Sequence, residues 1–218
     1  MYLSPLEQEI FDDLLSRRPD LKICADDILR THEILVNCFS KGGTLFTCGN
    51  GGSYADALHI AGELVKSFER KRPIDKSVLE KLTHEFAGEE LGKYLEAGLR
   101  AIPLGMNSAL KTAIENDCPL RDIAFAQELS VLIKSGDVLL AISTSGNAKN
   151  CLYAISIARA NNGIVIGLTG PSGGLMAQYS HVCIKTPGNS TKVIQEGHQP
   201  IWHALCAMVE VHFFPEKR

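Results

Sequence analysis

Residues 48–63 read CGNGGSYADALHIAGE, and the rest of the chain is organised around this stretch. Immediately upstream, residues 43–48 form a short apolar, β-branched run that starts at a glycine, the pattern of a buried strand. The run ends in Gly49-Asn50-Gly51-Gly52-Ser53. Its three glycines permit positive φ and close approach of a ligand to the backbone, and Ser53 is placed to cap a following helix. Strand, glycine turn and helix N-terminus together make an anion site, because the free N–H groups of the first turn and the helix dipole both favour negative charge. Phosphate is the natural guest. On that helix His59 and Glu63 are four residues apart, so they project from one face among the apolar Leu58, Ile60 and Leu64. Taken alone, the turn is equally a tight connection and the pair equally a solvated one, so the rest of the chain must decide.

Composition narrows the choice. With 218 residues, 45% of them hydrophobic, the chain can bury one sizeable core, and a single domain is expected. A net charge of −3 gives no basic footprint, which argues against direct nucleic-acid binding. Seven cysteines without CxxC spacing point to reduced thiols in a cytoplasmic chain rather than a disulfide framework. Cys24, Cys38, Cys48, Cys151 and Cys206 sit in apolar surroundings and are expected in the core. The acidic N-terminus, MYLSPLEQEIFDDLL, is not a signal peptide, and no apolar run has membrane-spanning length, so a soluble protein is expected.

In chain order, Ser4-Pro5 opens a helix with Leu6, Ile10, Leu14 and Leu15 as its apolar stripe, and a second helix is expected from Leu21 to Phe39 with Ile23, Ile28, Ile34, Leu35 and Cys38 buried. After the helix that begins near Ser53, residues 75–100 are charged and helical in period, read as two short helices around Gly88 in a surface excursion or lid. Strands are then expected at 101–104, 137–142, 163–169 and 182–184, separated by helices at 107–116, 121–134 and 148–161 and followed by a terminal helix over 193–214. This alternation predicts an α/β fold with a doubly wound, five-stranded parallel sheet in flavodoxin-like order.

In such sheets, ligands bind at the carboxyl ends of strands where the strand order reverses. With 44–48 central, between 101–104 and 137–142, the crevice is lined by two loops. One supplies Asn50, Gly51, Gly52 and Ser53, and the other Ser143, Thr144, Ser145 and Asn147. Two hydroxyl-rich turns at helix N-termini suit a dianionic phosphate ester without a lysine.

The run LLAISTSGN, with the later LTGPSGG, resembles the sugar isomerase (SIS) domain, which binds phosphosugars. CGNGGS, the His59/Glu63 pair, and Val193-Ile194-Gln195-Glu196 with His203 narrow the resemblance to the phosphoheptose isomerase family, over nearly the whole chain. That family converts sedoheptulose 7-phosphate to a heptose 7-phosphate. The resemblance implies that Ser53, Ser143, Thr144 and Ser145 hold phosphate, that Glu63 and His203 transfer protons, and that Asp117 is an active-site aspartate. It also implies one zinc per site on His59, Glu63, Gln195 and His203, and a homotetramer with shared sites. On a continuous helix Gln195 and His203 would stand about 12 Å apart, whereas ligands of one zinc lie about 4 Å apart. Either Pro200 kinks the helix or the two residues come from different subunits, the latter through an apolar face of Ile201, Trp202, Leu205, Met208 and Val209.

Three features depart from the family pattern: Ala148 replaces a serine after STSGN, Lys192 stands where an acid is common, and the 75–100 segment is long. They bear on which sugar is bound. The competing readings are a non-catalytic SIS module that senses a phosphosugar or engages a protein partner, and an isomerase of another sugar phosphate. Retention of His59, Glu63, Gln195 and His203 together favours the enzyme.

Overall fold

The computed structural model describes residues 2–215. Ser4 and Glu7 form a reciprocal capping box that starts helix α1 (Pro5–Arg17), with Pro5 at its first position. Helix α2 (Ala25–Ser40) does not start at Leu21 as expected, because Pro19–Cys24 winds as a 3₁₀ turn. The tighter turn rotates Ile23 away from the buried stripe of Ile28, Leu35 and Cys38, and leaves it 80% exposed.

Strand β1 (Leu45–Cys48) leads into α3 (Gly52–Val65), and α4 (Lys76–Leu82) and α5 (Gly88–Tyr94) follow before β2 (Ala101–Pro103). The remaining order is α6 (Ser108–Asp117), α7 (Ala124–Leu132), β3 (Val138–Ser143), α8 (Lys149–Ala160), β4 (Ile164–Thr169), α9 (Met176–Tyr179), β5 (Val182–Lys185) and α10 (Thr191–Phe213). A 3₁₀ turn at Arg121–Ile123 shortens the helix expected from 121, and α9, a single turn, carries no sequence periodicity that would announce it. The sheet is parallel throughout, in the order β2-β1-β3-β4-β5. The strand order therefore reverses at β1, the expected switch point.

Every residue of β1 and β3 is buried, as befits strands covered on both faces. Leu45, Val138, Leu140 and Ile142 face a core built with α1, α2, α3 and α10, while Phe46, Cys48, Leu139 and Ala141 face α7 and α8. Cys24, Cys38, Cys48, Cys151 and Cys206 are all buried free thiols. Helix α10 crosses the first core, so Ile201, Trp202, Leu205, Met208 and Val209 are buried inside this chain and do not form the intersubunit face expected of them. A helix apolar on most sides is packed on most sides.

Pro200 neither breaks nor ends α10, which runs on to Phe213. The ring deprives the Glu196 carbonyl of its helical donor, and Arg18 Nη1 supplies the missing hydrogen bond at 3.2 Å. Between α3 and β2 the chain makes a surface excursion, closed at its base by an antiparallel bridge between Pro73 and Glu96. The Glu96 carboxylate accepts from the Ser67 hydroxyl at 2.6 Å and from its amide at 3.3 Å, so the base of the excursion is tied to the end of α3.

Candidate active site

The glycine turn after β1 is shaped by contact as much as by φ. Gly51 has φ 55° and N-caps α3, so Ser53 lies inside the first turn rather than capping it. A Cβ on Gly49 would stand 2.5 Å from the Ser53 carbonyl oxygen, and one on Gly52 would stand 2.8 Å from both amide atoms of the Gln195 side chain. Glycine is needed at Gly49, where backbone blocks the Cβ, whereas at Gly52 the flexible Gln195 side chain would have to move. The Tyr54 and Ala55 amides turn back onto the Gly51 carbonyl, which leaves the Gly52 and Ser53 amides as the open donors of the helix. These donors and the buried Ser53 side chain make the first half of a candidate anion site.

The second half lies beyond β3. Cys48 pairs with Ala141, so the two loops leave the same edge of the sheet side by side. Ser143 and Ser145 bring their hydroxyl oxygens within 3.4 Å of each other. Gly146, at φ 65°, packs so tightly on the 170–175 loop that a Cβ would stand 2.1 Å from the Gly173 carbonyl oxygen. This contact explains why LTGPSGG accompanies STSGN: the glycine-rich segment is the floor on which the serine loop rests. Asn147 belongs to that floor too. Its amide accepts from Leu175 N at 2.9 Å and donates to the Ser145 carbonyl at 3.0 Å, so both ends brace the loop rather than face a ligand. Asn50 is likewise engaged, in a reciprocal amide pair with Asn150 at 2.9 and 2.8 Å that bolts the first loop to α8. Asn150 carries no motif signal. Ala148 N-caps α8 without a side-chain hydrogen bond, as its lack of a hydroxyl requires.

Beside the first loop is a cavity of about 220 Å³, walled by Tyr54, Phe125, Lys111, Glu115, Arg121 and Asp122 among others. Helix α6 thus reaches the crevice through Lys111 and Glu115. Asp117, at the last turn of that helix, is exposed and accepts from Asn116 at 2.7 Å, away from this wall. Lys192 is exposed in the first turn of α10.

Two to three turns further along α3, a second cluster forms against α10. Glu63 Oε1 lies 3.2 Å from His59 Nε2 and 3.5 Å from His203 Nε2. One donor atom from each of the three residues falls within 4.8 Å of the others, close enough to share one cation. Trp202 supports both imidazoles, its ring centroid 4.7 Å from His59 and 3.9 Å from His203, and Phe68 stacks on the outer face of His203 at 5.7 Å. Burial pushes the Glu63 carboxyl up to about 7. Its Oε2 is buried without a partner. Desolvation lowers His203. Two imidazoles beside a carboxylate with an unsatisfied oxygen fit a divalent cation such as zinc in ligand type.

Gln195 does not join this cluster from the same chain. Its amide rests on Gly52 at the opposite end of α3, and on the unbroken α10 it is about 12 Å from His203 along the axis. The structure therefore groups Gln195 with the open amides of Gly52 and Ser53, and His59 and Glu63 with His203.

The SIS domain family matches this chain twice, over residues 20–97 and 121–211. The phosphoheptose isomerase of Thiobacillus denitrificans is 40% identical over 81% of this chain and 79% of its own length. That of Roseiflexus sp. is 34% identical over 92% of this chain and 89% of its own. Among solved structures, the phosphoheptose isomerase from Neisseria gonorrhoeae superposes with a TM-score of 0.71 at 30% identity, over 92% of this chain and 94% of that one. The enzyme from Francisella tularensis gives 0.72 at 27% identity, over 93% and 95%. With this identity sustained over most of both chains, and with the sheet order and both loops in place, the chain belongs to the phosphoheptose isomerase family.

Proposed function

We propose that this protein is an aldose–ketose isomerase that converts sedoheptulose 7-phosphate to D-glycero-D-manno-heptose 7-phosphate, an early step in making heptose precursors. The single observation that carries the reading is the Glu63–His203 pair, a buried carboxylate 3.5 Å from an imidazole in a chain of this family. Isomerisation moves a proton from C1 to C2 of the sugar through an enediol, and a second proton between the two oxygens. Glu63, held by burial near neutrality, serves as the base at carbon. His203 serves the oxygens. The Gly52 and Ser53 amides, with the hydroxyls of Ser53, Ser143, Thr144 and Ser145, anchor the phosphate, so the reacting end is presented to the proton-transfer pair.

Zinc is the metal we assign to His59, Glu63 and His203, with Gln195 as fourth ligand. When bound it supplies Lewis-acid polarisation of the sugar carbonyl. Because Gln195 and His203 of one chain stand apart, we assign them to one site only across a subunit interface, within a tetramer of the family's kind. The whole chain, with helices 4–40 and the 75–100 excursion, then acts as a single SIS unit. Seven free cysteines suit a reducing cytoplasm, and no helix among the described residues is long and apolar enough to cross a membrane. The reading is tested by measuring turnover on a panel of ketose phosphates, with and without added zinc. Turnover of sedoheptulose 7-phosphate is expected to exceed that of pentulose and hexulose phosphates, and absence of turnover on the whole panel would overturn it.

A further inference from the structure

Arg72 and Glu210 form an ion pair in which both side chains are fully buried, Nε to Oε1 at 2.7 Å. Buried pairs of this kind are weak contributors to stability, since apolar residues of similar volume often replace them at no loss. The partners of this pair suggest another role. Arg72 Nη2 donates to the Glu63 carbonyl at 2.8 Å and Nη1 to the Leu64 carbonyl at 2.6 Å, two of the last carbonyls of α3, which lack helical donors. Glu210 accepts from the Phe68 amide at 2.9 Å and from the Glu69 amide at 2.8 Å. Those bonds fix the turn that lays the Phe68 ring on His203. The backbone that carries Glu63 and the ring that backs His203 are thus both referenced to one buried pair.

We propose that Arg72 and Glu210 are positioning residues, which set the mutual geometry of Glu63 and His203 without touching substrate. The inference rests on the isomerase reading of those two residues. Helix ends fray, and Glu63 is two residues from the end of α3. The guanidinium gives two carbonyls of that last turn the donors the helix itself lacks. The phosphate loops lie at the other end of α3 and are not referenced to the pair, so the effect is confined to the reacting end.

The test is the charge-free double variant Arg72→Met/Glu210→Leu, alongside the conservative Glu210→Gln. Thermal melting establishes which variants fold. In a folded variant kcat on sedoheptulose 7-phosphate is expected to fall about 10- to 100-fold, with KM unchanged, and zinc affinity, titrated against a chromophoric chelator, to weaken about 10- to 100-fold. Glu210→Gln, which keeps an acceptor for the Phe68 amide, is expected to lose less than the double variant. A folded double variant with parental kcat and parental zinc affinity overturns the inference. Failure of both variants to fold makes the pair a structural staple, and overturns it too. If the parent protein turns over no sugar phosphate, the isomerase reading has failed and the zinc titration alone decides the positioning role. A parent with neither turnover nor zinc binding has no site to position, and the inference falls.

Discussion

Glu63 Oε1 stands 3.5 Å from Nε2 of His203, across the seam where α3 and α10 pack, and the second oxygen of the same carboxylate is buried with no partner. The arrangement holds a carboxylate in a setting that favours its protonated form and presents it to an imidazole that burial keeps neutral.

The first prediction concerns Glu63→Gln, which preserves shape and removes the base. The variant is expected to fold and to bind a sugar phosphate as the parent does, while turnover falls about 10²- to 10⁴-fold. Steady-state kinetics paired with a calorimetric binding measurement separate the two, and near-parental turnover would remove Glu63 from the mechanism.

Burial of Glu63 also predicts a pH dependence of stability in metal-free protein. Its folded pKa, about 7, lies above the unfolded value near 4.5. Here the folded state binds the proton more tightly than the unfolded state. The Glu63 contribution is therefore most favourable below about pH 4.5 and declines as pH rises to about 7. Urea titrations at several pH values should show this decline in the parent, and it should vanish in Glu63→Gln. An identical pH profile in both proteins contradicts it.

The same proton should be released when metal binds, because a coordinating carboxylate must be ionised. At pH 6.5, a group titrating at about 7 holds roughly three-quarters of a proton, which is the release expected from Glu63 on zinc binding. Calorimetry of zinc binding in buffers of different ionisation enthalpy measures it. Release that persists unchanged in Glu63→Gln would assign the proton to another group.

Much of this was readable before any coordinates, and what was not has identifiable causes. Apolar runs bounded by glycine gave β1 and β3, because a strand buried on both faces has no polar alternation to disguise it. His59 and Glu63 were legible through helical spacing, which is local. Arg72 and Glu210 were not: their partnership spans 138 positions, and nothing local separates a buried arginine from the solvated charges around it. The bracing contacts of Asn147 were hidden for a similar reason. Its residue type suits a ligand, but its amide is taken up by Leu175 and Ser145. The apolar residues of α10 looked like an interface because sequence shows that a face is apolar without showing what covers it. In this fold the chain's own sheet and helices cover it.

Gly146 offers a prediction about the phosphate loop. At φ 65°, with the Gly173 carbonyl 2.1 Å from where a Cβ would sit, Gly146→Ala imposes both backbone strain and a clash. Strain of this kind costs about 1–3 kcal/mol. The variant should unfold at lower denaturant concentration, and KM for the sugar phosphate should rise because the serine loop is displaced. Parental KM would mean that the loop does not hold the phosphate.

The last prediction is that Gln195 completes the site of a neighbouring subunit. On its own chain Gln195 rests on Gly52, while His203 rests beside Glu63, and the unbroken α10 leaves about 12 Å between them along the axis. Ligands of one zinc stand only about 4 Å apart. Glu63 and His203 come from the same chain, so variants at those two positions are not expected to rescue one another in a mixture. Glu63→Gln and Gln195→Ala are the informative pair. After subunit exchange, a mixed interface joins the intact Gln195 of one variant to the intact His59, Glu63 and His203 of the other. For equal mixing across a two-fold interface, about a quarter of the sites are complete, so activity should return to about a quarter of the parent's. Each variant alone should remain poorly active. A mixture no more active than the sum of its parts would place Gln195 and Glu63 in one subunit's site, and a fully active monomer would exclude sharing altogether.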